Sequence, residues 1–248
     1  MRVDVVFGPA MVTPALVTGR VVAVIDVLRA STTIATALAN GARNVVPLES
    51  ADEVITRAKQ FERSKVLMAG ERKMHAIPGF DLGNSPRDFT RDAVEGKTVL
   101  LTTTNGTGAL LGLQGARDVV IASYVNLEAV STLLRTAARG GTDVTIICAG
   151  RERQLALEDA ACAGRLARCV SARDGHVELS DGAFACTLLD SRYGERLDEL
   201  FADSEHGRAL AEAGYRADLE TCAAVDSCPV IPIYQDRQVT LLGPDRER

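Results

Sequence analysis

The sequence is poor in the residues that hold zinc or build disulfide frameworks. It contains three histidines and six cysteines in 248 residues, and no two of the cysteines form a C-x-x-C pair. Because structural zinc sites and secreted disulfide scaffolds depend on such clusters, we expect neither in this protein.

Long apolar runs and an excess of basic residues are also missing. No segment approaches the roughly 20 apolar residues that span a bilayer, and Asp4 interrupts the short apolar run at the N-terminus, unlike a signal peptide. The 28 Lys and Arg against 33 Asp and Glu leave a net charge of −5. Since duplex binding needs a basic face, we expect a cytoplasmic protein with no nucleic-acid or membrane partner.

The composition is that of a globular protein, with 46% hydrophobic and 25% charged residues. Unbroken aliphatic runs alternate with segments of helical period, a pattern typical of buried parallel strands joined by helices. We predict an α/β fold with a mainly parallel sheet, in one compact domain over residues 1–248. Two similar α/β halves, about 1–120 and 121–248, are an alternative.

The same patterns predict the individual elements. Strands are expected over 21–26, 44–47, 65–69, 98–103, 119–122 and 143–148, and helices over 31–40, 51–61 and 155–170. Shorter helices broken at Gly194 and Ser204 are expected over 183–213, followed by a hairpin of 230–234 with 239–242 at a sheet edge. We expect the last five residues to be frayed.

Three predicted strands end in polar segments, where open α/β sheets bind their ligands. At the first, Asp26 closes a buried strand and Arg29 follows it. A helix then begins with three hydroxyl residues, Ser31, Thr32 and Thr33. Helix-start N–H groups, hydroxyls and an arginine can together hold an anion. Ordinary helix capping would explain the hydroxyls but not the acid.

The second polar strand end also leads into a predicted helix. It consists of Thr103, Thr104, Asn105, Gly106 and Thr107. Many donors and a close backbone approach at glycine suit an oxyanion. The alternative is a β-branched strand end closed by an Asn-Gly turn.

The third polar strand end precedes Glu158 and Asp159, in the first turn of the helix predicted over 155–170. Both acids lie beside the apolar stripe of that helix, where a buried carboxylate needs a cation or hydrogen-bond donors. Acids in a first helical turn also have an ordinary electrostatic explanation. We predict that at least one of the two is a ligand.

Residues 70–86 form a long aperiodic segment, which in a compact domain is usually functional or disordered. It supplies Glu71, Arg72 and Asp81 as candidate ligands, although Asp81 could equally cap a turn. His206 is expected to be an exposed helix-end residue, and a proton carrier is the alternative.

These residue types together favour phosphate-ester chemistry. The chain shows no Ser-His-Asp order and no thiolate motif, whereas carboxylates and oxygen donors are the ligands that Mg²⁺ prefers alongside substrate phosphate oxygens. Monoester hydrolysis has a very high barrier, which a metal and an arginine can lower. We predict Mg²⁺-dependent hydrolysis of a small, highly anionic phosphate ester. A non-enzymatic anion-binding protein is the alternative.

Seven segments, in order along the chain, resemble the 2-phosphosulfolactate phosphatase family. They are VIDVLRASTTIATALANGA, AGER, IPGFDLGNSP, TVLLTTTNGT, CAG, LEDAACAG and HGR, within residues 3 to about 228. The resemblance implies a three-layer α/β/α sandwich and a Mg²⁺-dependent enzyme. The implied reaction converts 2-phospho-3-sulfolactate and water to 3-sulfolactate and phosphate, the second step of one coenzyme M pathway.

The chain departs from the family pattern at two places. Residues 73–75 (KMH) replace a small, Gly-containing segment after AGER, and residues 151–153 (RER) replace a Gly-containing turn after CAG. Both are expected at the rim of the pocket. Another small 2-phospho-carboxylic acid is therefore an alternative substrate.

The resemblance and the residues suggest a mechanism. Four acids are candidate metal ligands: Asp26, Asp81, Glu158 and Asp159. We predict that Asp26 and one of the others hold Mg²⁺, that Arg29 and Arg72 neutralise the phosphoryl charge, and that a carboxylate such as Glu158 orients the attacking water. The two hydroxyl-rich strand ends would bind the phosphoryl group and the second anion of the substrate.

A covalent aspartyl-phosphate on Asp26 is the mechanistic alternative. It is disfavoured because Leu28 occupies the position of the second acid that phosphatases of the haloacid-dehalogenase type need. We also expect a homodimer, which is the commonest assembly for soluble chains.

Overall fold

A computed structural model describes residues 1–172 and 177–243 of the chain, without the side chains of residues 107, 108 and 111. The last five residues, expected to be frayed, lie outside the described residues. Within the described residues, eleven strands form one sheet: β1 (Arg2–Val6), β2 (Val21–Ile25), β3 (Asn44–Pro47), β4 (Val66–Arg72), β5 (His75–Ala76), β6 (Thr98–Thr102), β7 (Asp118–Ala122), β8 (Val144–Cys148), β9 (Glu178–Leu179), β10 (Pro232–Gln235) and β11 (Gln238–Leu241). The spatial order is β5-β4-β6-β3-β11-β10-β7-β2-β8-β1-β9.

Helices connect the strands. They are α1 (Ala30–Ala39), α2 (Ala51–Ala58), α3 (Arg91–Val94), α4 (Gly106–Leu111), α5 (Leu127–Arg139), α6 (Leu157–Ser171), α7 (Asp181–Tyr193), α8 (Leu197–Asp203), α9 (Glu205–Glu212) and α10 (Arg216–Cys222). The predicted α/β elements are confirmed to within a few residues at most ends. Among the described residues, no helix is long and apolar enough to cross a bilayer.

The helices cover both faces of the sheet, which confirms the α/β sandwich. Along β2, Val21, Ala23 and Ile25 pack into one apolar cluster with α5, α6 and α7. Val22 and Val24 pack into a second cluster with α1 and α4. This alternation buries every residue of the strand, which is why its sequence reads as an unbroken aliphatic run.

The sheet is mixed, and its two parallel groups run in opposite directions. Strands β4, β6 and β3 are parallel to one another, and so are β7, β2, β8, β1 and β9. Between the groups lies the hairpin of β10 and β11, and three successive antiparallel pairings reverse the direction.

This position corrects the prediction that the hairpin lies at a sheet edge. Ile233 pairs with Val120 of β7, and Val239 pairs with Val45 of β3, so the hairpin joins the two groups. Its short strands mix polar and apolar residues, a pattern typical of an edge strand. The sequence could not show that both outer sides of the hairpin are paired.

Helices α1 and α4 bring the two groups of strands together. Helix α1 contacts β3 and β7, one strand from each group, and also contacts α4, which packs on β2. The two helices begin at the ends of β2 and β6. Their contact brings those strand ends close together although the strands run in opposite directions.

Candidate active site

The polar ends of β2, β4 and β6 meet at a cavity of about 260 Å³. Asp26 and Arg29 line it from the loop after β2, Glu71 from the end of β4, and residues 103–105 from the loop after β6. The volume lies just below the common range of about 300–1,000 Å³ for ligand pockets, which suits a small ligand.

A second cavity, of about 380 Å³, is lined by residues that include Arg87, Asp88, Tyr215 and Asp218. It is larger, but its lining within the described chain contains none of the predicted site residues. Chemistry depends on convergent functional groups more than on volume. The candidate site is therefore the smaller cavity.

Asp26 is a buried carboxylate in the wall of that cavity, with 7% of the residue exposed. Its Oδ1 accepts a hydrogen bond of 3.2 Å from the N–H of Ala30 at the start of α1. Loss of hydration on burial raises the pKa of Asp26 to about 6, and the charges of Glu71 and Glu158 act in the same direction. A cation placed here would stabilise the ionised form.

Asp159, in the first turn of α6, holds the loops that follow β2 and β8. Its Oδ1 accepts the N–H of Val27 at 2.9 Å, and its Oδ2 accepts the N–H of Gly150 at 3.1 Å. Burial, followed by the charges of Asp26 and Glu158, raises the pKa of Asp159 well above its ordinary value. Both of its oxygens are therefore occupied by the backbone that shapes the site.

Glu158 has one oxygen that lacks a partner. Its Oε1 lies 3.2 Å from Nδ1 of His206, whereas its Oε2 is buried without a hydrogen-bond partner in the described chain. A buried carboxylate oxygen without a donor is costly unless a ligand or ion satisfies it. Glu158 is thus a better candidate ligand than its neighbour Asp159.

His206 lines the cavity, which corrects the expectation of an exposed helix-end residue. Its side chain is 12% exposed and pairs with Glu158. The residue does lie at a helix start, but α8 packs on α6 and on α9, which turns this end of α9 inward. Sequence position alone could not show that packing.

Arg29 lines the cavity, and its guanidinium is fixed by three groups. It donates to Oδ2 of Asp218 at 2.6 Å and to the carbonyl of Met74 at 2.9 Å, and it lies 4.4 Å from the ring centre of Tyr215. Asp218 also accepts the hydroxyl of Ser85 at 2.7 Å. No sequence motif marks Asp218, which the sequence analysis therefore missed.

Glu71 ties the end of β6 to the end of β4. Its Oε1 accepts the N–H of Thr104 at 2.7 Å, and its Oε2 accepts the hydroxyl of the same residue at 3.1 Å. Thr103, Thr104 and Asn105 line the cavity, next to Gly106, whose α-carbon lies close to Asp26. The side chain of Thr107 lies outside the described residues.

Ser31, Thr32 and Thr33, which are predicted to bind substrate, lie outside the lining of the cavity. Ser31 Oγ accepts the N–H of Asp26 at 2.9 Å, and the hydroxyls of Thr32 and Thr33 each donate to a backbone carbonyl at 2.9 Å. All three residues are at most 3% exposed. In this buried first turn of α1, the hydroxyls satisfy backbone groups and position the loop that carries Asp26.

Asp81 also lies outside the lining of the cavity. Its Oδ2 accepts the N–H of Met68 at 2.9 Å, and its Oδ1 pairs with Arg63. The segment predicted as one long loop instead continues β4 to Arg72, turns into β5 and returns beside β4. That return places Asp81 next to the middle of β4 instead of its carboxyl end.

Arg72, the last residue of β4, faces away from the lining. It donates to the hydroxyl of Thr102 at 3.0 Å and to the carbonyl of Glu71 at 2.7 Å. The strand alternates its side chains between the two faces, so Glu71 points into the site and its neighbour does not. The predicted contact of Arg72 with substrate does not match this placement.

Asn84 is a further residue in the lining of the cavity. Its carbonyl accepts the hydroxyl of Thr33, and its side-chain Oδ1 is buried without a partner in the described chain. The segment IPGFDLGNSP, which carries part of the family resemblance, contains Asn84 and was the signal in the sequence that could have indicated a role at the site.

The oxygen donors around Asp26 fit a Mg²⁺ ion that substrate helps to hold. Among the described residues, no three His, Cys, Asp or Glu side chains form a ready metal cage. Mg²⁺ commonly takes one or two carboxylates, with waters and substrate phosphates completing its shell. Asp26 and Asn84 belong to the lining, whereas Glu158 is buried outside it and contacts the lining residue His206. Glu158 Oε2 and Asn84 Oδ1 have no hydrogen-bond partner within the described chain.

Comparison with known families agrees with the resemblance. A profile described as 2-phosphosulpholactate phosphatase matches residues 9–237. The chain belongs to the 2-phosphosulfolactate phosphatase family. The match spans every residue of the candidate site and all strands of the two parallel groups except β1.

Relatives in this family share most of their length with the chain. A protein from Symbiobacterium thermophilum is 44% identical over 224 residues, 90% of this chain and 95% of the relative. One from Clostridium acetobutylicum is 34% identical over 239 residues, 96% and 100% of the two chains. One from Thermotoga maritima is 35% identical over 230 residues, which are 93% of this chain and 94% of the relative. All three carry the name probable 2-phosphosulfolactate phosphatase.

Gly106 offers a test of the site geometry in this family member. A Cβ at this position would lie 2.7 Å from both Ala30 Cβ and Asp26 Oδ2. We expect Gly106→Ala to lower kcat at least tenfold and the Tm by several degrees, because overpacking costs about 1–3 kcal/mol and displaces Asp26. Gly112→Ala, at the end of α4 with nothing within 4 Å, is the matched control. Wild-type activity and Tm in Gly106→Ala would disprove the close contact between α4 and Asp26.

Proposed function

We propose that the chain is a Mg²⁺-dependent phosphatase that hydrolyses 2-phospho-3-sulfolactate to 3-sulfolactate and phosphate. The observation that carries this proposal is the group of buried carboxylates, two of which have a pKa raised by burial, beside a small cavity lined by polar strand ends. Such a group suits a divalent cation and a phosphate ester. The names of the relatives supply the substrate.

Asp26 and Glu158 are the residues that would hold Mg²⁺, with Asn84 as an additional oxygen donor. The ion would neutralise phosphoryl charge and make bound water more acidic. Asp159 keeps the loops after β2 and β8 in place through its two backbone contacts. A carboxylate oxygen of the Asp26–Glu158 pair orients the attacking water.

Charge that develops on the phosphoryl group is met by fixed donors. Arg29 is held by Asp218 and supplies a preorganised cation, which costs no reorganisation during the reaction. Glu71 fixes the loop after β6 by accepting the N–H and the hydroxyl of Thr104, and the neighbouring Thr103 and Asn105 bind the substrate oxygens. Direct attack by water is favoured because Leu28, in the lining and 2% exposed, stands where a second acid would be needed.

The cellular setting is part of the same proposal. The six cysteines are all free thiols, which suits the reducing conditions of the cytoplasm. The reaction would form one step of a sulfonate pathway of the coenzyme M type.

Phosphate release from three esters tests the proposal. The esters are racemic 2-phosphosulfolactate, 2-phospholactate and an aryl phosphate, each with Mg²⁺ and then with EDTA. We expect kcat/KM to be highest for 2-phosphosulfolactate and turnover to fall at least a hundredfold in EDTA, since the metal supplies several kcal/mol of charge stabilisation. Highest turnover on another ester would change the substrate and keep the mechanism. Binding without release from any ester would favour an anion-binding protein.

A further inference from the structure

Two tight turns with unusual backbone conformations line the active-site cavity. The first joins β4 to β5 through Lys73 and Met74, whose φ angles are 50° and 72°. Two-residue turns of this kind favour Asn-Gly, because other residues are strained at positive φ. Strain of this kind persists only where the surroundings enforce it, and it concentrates at functional sites.

The turn between β4 and β5 is fastened to two residues of the site. The N–H of Met74 donates to Oε2 of Glu71 at 2.9 Å, and its carbonyl accepts Arg29 at 2.9 Å. Lys73 is exposed, lines the cavity and forms no ion pair within the described chain. The turn therefore presents a lysine at the cavity in a position set by the catalytic residues.

The second turn follows β8 and has the same form. Glu152 and Arg153 have φ angles of 49° and 66°, and Arg151 and Gln154 close the turn with hydrogen bonds of 3.0 and 2.8 Å. The N–H of Glu152 donates to Oδ1 of Asn105 at 3.2 Å. This turn is thus also fastened to a lining residue.

Arg151 is the cation that the second turn adds to the lining. Its side chain is 26% exposed and lies 3.5 Å from the carboxylate of Glu205, which is 82% exposed. An exposed ion pair of this kind contributes little, so it does not hold Arg151 away from a ligand. Glu152 also lines the cavity, and its backbone N–H fastens the turn to Asn105.

We propose that Lys73 and Arg151 form the subsite for the second anionic group of the substrate, the carboxylate or sulfonate beside the phosphate ester. The inference rests on the proposed function. The buried acids repel a further anion, and Arg29, held by Asp218, is assigned to the phosphoryl group, so the rim cations are left to receive the second anion.

The test compares variants that remove each charge without disturbing its turn. Lys73→Asn suits the turn, because asparagine adopts positive φ readily, and Arg151→Gln keeps a side chain of similar length. We expect the ratio of kcat/KM for 2-phosphosulfolactate to kcat/KM for an aryl phosphate to fall about tenfold to a hundredfold in each variant, mainly through KM. Arg153→Gln, in the same turn but outside the lining, is the control and should keep the wild-type ratio.

Measurements with a second ester and with 3-sulfolactate identify which anionic group the subsite binds. They also separate a failure of the subsite from a failure of the proposed function. An equal fall with 2-phospholactate assigns the carboxylate to the subsite, and a fall seen only with 2-phosphosulfolactate assigns the sulfonate. An unchanged ratio in both variants overturns the subsite while phosphatase activity stands. Binding of 3-sulfolactate can be measured by calorimetry in the wild-type protein and in both variants. If both substitutions weaken this binding but the wild-type protein hydrolyses none of the esters, the subsite is supported and the proposed function is overturned.

Discussion

Replacing Asp26 by asparagine is expected to lower the turnover of 2-phosphosulfolactate by about a thousandfold or more and to raise the Tm at pH 8. Activity falls because a neutral amide cannot hold a cation or accept a proton as the carboxylate does. Stability rises because the substitution removes one charge from the buried cluster that also contains Glu158 and Asp159. The amide oxygen can still accept the N–H of Ala30.

The gain in stability depends on pH in a defined direction. The pKa of Asp26 is about 6 in the folded protein and 3.8 as its ordinary value, so the unfolded chain loses this proton first as the pH rises. The wild-type protein therefore loses stability between about pH 4 and pH 6, by up to about 3 kcal/mol at 1.36 kcal/mol for each pKa unit. Asp26→Asn should gain several degrees of Tm at pH 8 and almost none at pH 4.

Thermal melting in EDTA measures this effect, because a bound cation would itself offset the charge of Asp26. Asp4→Asn is the matched control. Asp4 is equally buried, at 7% exposed, but it pairs with Arg20 at 2.7 Å and Arg2 at 3.1 Å. Its substitution should therefore lower the Tm. Near-normal turnover of Asp26→Asn would remove Asp26 from the mechanism, and a lower Tm at pH 8 would show that its charge is already compensated.

Substitution of Asp218, the partner of Arg29, is the second change for which we expect a large effect on stability and activity. The two side chains are 2% and 4% exposed and 2.6 Å apart, so Asp218→Asn leaves a buried guanidinium without its counter-charge. The loss of one partner from a buried pair costs about 3–5 kcal/mol, or about 6–20 °C in Tm for a chain of this size. We also expect kcat to fall, because Arg29 is no longer held at the cavity.

A double-mutant cycle separates the structural and catalytic roles of the pair. Arg29→Met with Asp218→Asn removes both charges and should recover much of the lost Tm, because no buried charge then lacks a partner. Activity should stay low, since the cation at the cavity is missing. Glu95→Gln, in the exposed pair of Arg91 and Glu95, should leave Tm and activity unchanged. A double variant no more stable than Asp218→Asn would disprove the coupling.

Local patterns predicted most of the fold because burial shapes them directly. The run VVAVI became β2, whose five residues are all buried between two helical layers. The helix breaks at Gly194 and Ser204 fall at the ends of α7 and α8. The hairpin of β10 and β11 was predicted, but its place between β3 and β7 was not, because pairing partners are set by distant residues.

The candidate site was predicted only in part, because distant residues decide which polar side chains face the cavity. Some of the polar residues predicted at strand ends line the cavity, as Asp26 and Thr104 do. Ser31, Thr32 and Thr33 share that sequence signal but satisfy backbone groups. Asp218 carries no local signal of its role, since it acts through Arg29, which is far away in sequence.

The sequence by itself determined the family, the α/β alternation and the acids available for catalysis, because these depend on residue type and local period. Only the tertiary structure decided which strand ends meet. The groups of β2 and β6 run in opposite directions, so the common edge of a parallel sheet could not bring them together. Packing of α1 on α4 does so, and it places Gly106 against Asp26. Such a contact depends on residues about 80 positions apart in sequence, beyond the reach of any local pattern.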